Sequence, residues 1–75
     1  MNHYIKCIYK KSIFESDKGY YIGLCKIIDT NDEEIEPFIN KTMTFTGYFP
    51  SLQIDDTYLF YGELVDHYKY GIQYQ

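Results

Sequence analysis

The sequence predicts an all-β fold, a small OB-like barrel of about five antiparallel strands with little or no helix. Three observations carry the prediction. Apolar residues recur with a period of two along four stretches of the chain, the spacing of strands that turn one face to a core. Glycines stand inside those stretches as well as between them, and an interior glycine lets a strand bend sharply at a barrel corner. The 75 residues include ten Tyr and five Phe but no Trp. Tyr buries a ring while its hydroxyl stays wet, which suits a domain with much surface and little interior.

In the first strand Ile5, Cys7 and Tyr9 alternate with Lys6, Ile8 and Lys10. Glu15-Ser16-Asp17-Lys18-Gly19 reads as a hairpin loop, with Gly19 free to take a positive φ. The second strand, Tyr20 to Ile28, places Tyr20, Ile22 and Leu24 on one side, and Gly23 within it predicts a bend or bulge. Asp29-Thr30-Asn31-Asp32 is turn chemistry, because short polar side chains hydrogen-bond their own backbone. Pro37 and Phe38 close the acidic loop that follows. The third strand, Lys41 to Phe49, sets Met43, Phe45 and Gly47 on one face and Thr42, Thr44 and Thr46 on the other, and Pro50 ends it.

The only room for a helix is one turn within Pro50–Thr57. A fourth strand, Thr57 to Val65, turns Tyr58, Phe60, Gly62 and Leu64 inward by alternation. His67 to Gly71 reverses the chain, and Ile72-Gln73-Tyr74-Gln75 starts a fifth strand. Because that strand runs to the last residue, the chain reads as a piece of a longer protein, with an open strand edge that a second copy would pair with in a crystal. Closure into a barrel removes the edges that a flat sheet of this apolarity would expose. An SH3-like barrel is the second choice. The short Pro50–Thr57 connection departs from the usual OB arrangement, which often carries a helix there.

Length and charge bound the function. The chain holds one small domain. Its seven basic residues are all Lys, and with eleven acids the net charge is −4, the wrong sign for strong non-specific nucleic-acid binding. Five of the acids fall in Asp29–Glu36, and outside that segment seven Lys face six acids. The segment reads as a solvated loop, since a calcium loop would need a sharp-turn Gly that is missing. No apolar run approaches the roughly 20 residues of a membrane span. Met1-Asn2-His3-Tyr4 lacks the shape of a signal peptide. No Gly-x-x-x-x-Gly-Lys-Ser/Thr occurs, so the chain has no such cradle for a nucleotide. Cys7 and Cys25 cannot build a disulfide framework, and a reducing cytosol is the expected compartment.

The C-terminal half carries a resemblance. Gly47-Tyr48-Phe49-Pro50-Ser51-Leu52, followed by Gly62-Glu63-Leu64-Val65-Asp66-His67-Tyr68-Lys69-Tyr70-Gly71-Ile72-Gln73-Tyr74, resembles the N-terminal domain of RecD-like (RecD/TraA family) DNA helicases. The family pattern there runs G-x-F-P-x-L, a short gap, then G-x-W-x-x-H-x-x-Y-G-x-Q-F. Ile13-Phe14 and then Gly19-Tyr20 are similar to an earlier family element. Cys7 departs from a common Gly, Leu64 from Trp, Tyr74 from Phe, and Asp55-Asp56 from a Gly-Asp or Gly-Glu turn. The resemblance implies an accessory, non-catalytic domain of an enzyme that moves 5′ to 3′ along single-stranded DNA in repair or recombination. ATP and Mg would belong to RecA-like motor domains absent from this chain. The implied partner is the remainder of the helicase chain, with single-stranded DNA or a repair protein as further candidates and no membrane.

Three sets of residues are candidate sites. In the turn before Gly71, Tyr68 and Tyr70 flank Lys69, and two rings around a cation could stack a base and hold a phosphate. The competing reading makes Tyr70, Gly71, His67 and Gln73 a structural corner, alongside Gly47, Phe49, Pro50 and Gly62 of the same motif. Lys6, Lys10 and Lys26 can share the outer face of the first hairpin, with Lys11 beside them, either tracking phosphates or guarding a strand edge. Leu59 and Tyr61, opposite in facing to Phe60, and Ile8, opposite to Cys7, are candidates for a docking patch. His3, His67, Cys7 and Cys25 lack the paired spacing of a zinc site. Cys7 and Cys25 lie almost symmetrically about the Ser16–Lys18 loop, but the reducing compartment argues for free thiols.

Overall fold

A computed structural model describes residues 3–67 and 71–74. Among these residues there are six strands: β1 (Tyr4–Glu15), β2 (Tyr20–Thr30), β3 (Thr42–Tyr48), β4 (Thr57–Tyr61), β5 (Leu64–His67) and β6 (Gly71–Tyr74). They form one sheet in the order β4-β1-β2-β3-β6-β5. β4 and β5 lie at opposite ends of that order, yet only Gly62 and Glu63 separate them in the chain. The two ends of the sheet therefore meet, and the sheet rolls into a barrel. The predicted fourth strand is thus one bent ribbon. Its first half pairs with β1 and its second half with β6. The bend falls at Gly62, whose N–H donates to the His3 carbonyl at 3.3 Å.

The last strand is not an open edge, because β6 lies between β3 and β5. Its pairing with β3 is parallel, while the other pairings are antiparallel. Curvature comes from irregularities in the β1–β2 ladder, where the register shifts between Lys6 and Cys7, Tyr9 and Lys11, and Ser12 and Phe14. Extra residues of this kind bend a strand and increase its twist. Gly23 pairs with Ser12 beside the last shift, so the predicted irregularity lies on the facing strand. The β1–β2 hairpin turns at Gly19, with φ 88°. The Ser16 hydroxyl accepts from the N–H groups of Lys18 and Tyr20. Gly19 O accepts from Phe49 N–H at 2.9 Å, tying the turn to the end of β3.

Alternation fills the interior as predicted for the first and third strands. Ile5, Cys7 and Tyr9 of β1 and Met43 and Phe45 of β3 are buried. On β2 the inward set is Tyr21, Cys25 and Ile27, so Tyr20, Ile22 and Leu24 face outward. Phe60 is buried between the exposed Leu59 and Tyr61. The centre is an aromatic cluster in which Phe49 lies 5.6 Å from Phe45, 4.7 Å from Phe60 and 5.8 Å from Tyr21, centroid to centroid. Such ring pairs stabilise a core by roughly 0.5–1.5 kcal/mol each beyond area burial.

The acidic segment is not a purely solvated loop. Ile35 is fully buried, and Thr30 and Asp32 are nearly so. The carboxylates of Glu33, Glu34 and Glu36 stay in water, while Ile35 joins the core and Phe38 and Ile39 pack against it. The one helical turn among the described residues also sits here, a 3-10 turn at Glu36–Phe38 with proline in its first turn, where a missing N–H costs nothing. Between Pro50 and Thr57 the chain makes a tight turn instead, with Asp55 at φ 71°.

Candidate nucleic-acid and docking faces

The lysines read from the sequence are placed on the outside of β1 and β2. Lys6 is exposed and stands opposite Leu59 on one side and Asp29 on the other. Lys26 is half-buried, opposite Ile8 and Thr42. Lys10 falls in the register shift between Tyr9 and Lys11, and its Nζ lies 3.2 Å from Asp55 Oδ1. Both partners are exposed, so this pair contributes little to stability, but it turns Lys10 toward the turn before β4. Tyr68, Lys69 and Tyr70 lie outside the described residues.

The motif residues occupy the barrel's seams. Gly47 packs under the Phe49 ring, exposed Pro50 follows β3, and Gly62 marks the bend between β4 and β5. His67 and Gly71 face each other across β5 and β6, and Gln73 stands opposite both Val65 and Thr44.

Two exposed faces lie at opposite ends of the long β1–β2 ribbon. The first is the outer side of β4 and the start of β1. There Tyr61 is 64% exposed and Leu59 49% exposed, and Tyr61 meets Tyr4 edge to face at 6.5 Å. The second, at the hairpin end, was not singled out by the sequence reading. Phe14 stands opposite Ile22, which stands opposite Thr46, and Tyr20 stands opposite Tyr48. The clue was the alternation itself: extended to Tyr48 and back to Phe14, it puts both rings on the same side as Tyr20 and Ile22.

An open cleft of about 600 Å³ lies beside the acidic loop, lined by His3, Asn31, Asp32, Glu33, Glu34, Glu63 and Leu64. Asp32 is committed within it. Its Oδ1 accepts from Glu34 N–H at 3.0 Å, and its Oδ2 lies 3.5 Å from His3 Nδ1. Among the described residues, no group of three or more His, Cys, Asp or Glu is placed to hold a metal ion.

Inside the barrel, Cys7 and Cys25 are free and buried. A hydrogen bond shared with Cys7, and then burial, push the Cys25 thiol far above its ordinary range. A thiol held protonated in this way is a poor nucleophile. Burial, and then a hydrogen bond to the Glu15 carboxylate, likewise raise Tyr21, whose hydroxyl oxygen also accepts from Leu52 N–H. Both groups serve the core.

A curled sheet closed through one bent strand, with a parallel pairing between the third strand and the last, defines an OB-type barrel. The family model for the OB-fold domain of the ATP-dependent DNA helicase YrrC matches residues 2–75, and the chain belongs to that family. No solved structure matches it. Among the described residues, no helix is long and apolar enough to cross a membrane.

Proposed function

We propose that this chain is the non-catalytic N-terminal accessory module of a RecD-like, ATP-dependent 5′–3′ helicase of DNA repair or recombination. It docks onto the motor portion of that helicase through the outer face of β4 and β1. ATP and Mg belong to the motor portion in this reading, and the setting is cytoplasmic. The observation that carries the docking role is the exposure of Leu59 and Tyr61 beside Tyr4. These apolar groups alternate with buried Phe60, so the strand is already anchored and does not need them for its own packing. Large exposed rings set among polar neighbours are the usual anchors of protein interfaces.

The test is calorimetric titration of the separately expressed motor portion with this chain. The parent chain binds, and the Leu59→Ala/Tyr61→Ala pair lowers affinity roughly tenfold or more, as loss of two interface anchors does. Equal binding by the parent and the double variant would sink the docking role.

A further inference from the structure

Two thiols inside the barrel take no part in docking. Cys7 on β1 and Cys25 on β2 are free, fully buried and on the inner face. Cys7 pairs with Ile27 and Tyr9 with Cys25, so the two cysteines stand diagonally across a regular stretch of the β1–β2 ladder. A hydrogen bond joins their sulfurs. Met43 stands directly opposite Cys25 on β3 and is buried on the same side. Its thioether is a third sulfur donor on that inner face. Cys7 stands where the resembling family often has glycine, so the dithiol does not come with that resemblance.

The diagonal placement decides what the pair can do. Diagonal neighbours across an antiparallel pair lie roughly 7–8 Å apart between Cα atoms, whereas a disulfide spans about 4.4–6.8 Å. The sulfurs come within hydrogen-bonding range, but the backbone holds them short of an S–S bond. An ion between them has less distance to close, because two metal–thiolate bonds of roughly 2.3 Å reach across roughly 4.6 Å. Donor chemistry then selects the ion. Thiolate and thioether sulfurs are soft and suit copper(I). Among the described residues no third His, Cys, Asp or Glu joins the pair. The four-ligand set of a structural zinc site and the oxygen cage of calcium are therefore both missing. Ile5, Ile27 and Phe45 belong to the same buried cluster and keep water from competing for the ion.

We propose that Cys7 and Cys25, with Met43 beside them, form an interior site for a soft metal ion of low coordination number, copper(I) by class. The ion takes the place of thiol protons, which pass to solvent, and it ties β1 to β2 through the core. Binding is therefore tighter at higher pH. The site is independent of the Leu59 and Tyr61 face, and either stands without the other.

Anaerobic titration of the reduced chain against copper(I) held in a coloured bicinchoninate complex tests it. The parent chain withdraws one ion per molecule, and the colour fades in proportion. X-ray absorption at the copper edge shows a shell of sulfur alone. Cys7→Ala and Cys25→Ala each lower affinity by about a hundredfold or more, beyond the usual cost of an outer-shell change. Met43→Leu, close in volume, lowers it by a smaller factor. One equivalent of copper(I) also raises the midpoint of thermal unfolding of the parent, because the folded chain holds the sulfurs together. That reading, like the sulfur shell, needs no variant and stands even where an alanine substitution in the core prevents folding. The proposal is overturned if the bicinchoninate keeps its copper, or if nitrogen or oxygen enters the shell. It is equally overturned if a folded alanine variant binds as tightly as the parent, or if the parent's midpoint does not move.

Discussion

A Cβ on Gly23 would lie 2.9 Å from the Lys11 carbonyl oxygen and 2.9 Å from the edge of the Phe45 ring. Phe45 is almost wholly buried in the aromatic cluster and cannot swing away, and the carbonyl belongs to a paired strand. Gly23→Ala is therefore expected to destabilise the chain by about 1–3 kcal/mol, the usual cost of overpacking a tight core. Gly47→Ala should cost less, because its Cβ meets only the half-buried Phe49 ring, at 3.2 Å. Urea unfolding of both variants makes the comparison. If Gly23→Ala melts out at the parent's urea concentration, β1 and Phe45 do not close on Gly23 as described. Asp55 shows the reverse situation. It occupies a position where the resembling family often has glycine, and its φ of 71° is a conformation glycine adopts freely and Asp tolerates better than most residues. The substitution keeps the turn, and the side chain gains Lys10 as a partner.

At the scale of elements, Thr30 joins the acidic loop to the sheet. Its hydroxyl donates to the Tyr4 carbonyl at 2.7 Å and accepts from the buried Asp32 N–H at 3.1 Å. Thr30→Val keeps the shape but leaves that N–H without its acceptor, which costs about 1–3 kcal/mol. Thr30→Ser should recover most of the loss. Equal stability of the Val and Ser variants in chemical denaturation would show that the hydroxyl does not hold the loop. This element also shows where the sequence was hard to read. Three exposed glutamates around Ile35 give the segment the look of a solvated loop, and a single apolar residue tucked inward from a turn carries no period to betray it. Strands were legible because alternation repeats over many residues, as in Ile5, Cys7 and Tyr9. The break at Gly62 was not, because Leu64 keeps the same parity as Phe60, and the pattern runs unbroken through a bend. Lys6 and Lys26 were visible as an outer pair. The meeting of Tyr20 with Tyr48 was not, because cross-strand register depends on turns and bulges that leave little trace in composition.

For the molecule as a whole, folding raises two titratable groups on the inner face of β2, Tyr21 and Cys25, above their ordinary values. Burial is the first cause of the rise at Tyr21, and the hydrogen bond with Cys7 is the first cause at Cys25. Unfolded, the two groups return to ordinary values of about 10 and 8.5. A group whose value is higher folded than unfolded contributes its full stabilisation below the unfolded value and loses it as pH climbs toward the folded one. The chain should accordingly hold a constant midpoint of thermal unfolding from neutrality to about pH 8.5, then lose stability steadily on the alkaline side. Cys25 drives the first part of the decline and Tyr21 joins it above about pH 10. Circular-dichroism melts across this range provide the measurement, with Tyr21→Phe as the comparison. That variant cannot ionise at position 21 and should decline less steeply above about pH 10, while matching the parent's slope below it. A midpoint unchanged from pH 8 to about pH 10.5 would mean that neither group is held above its ordinary value in the folded chain.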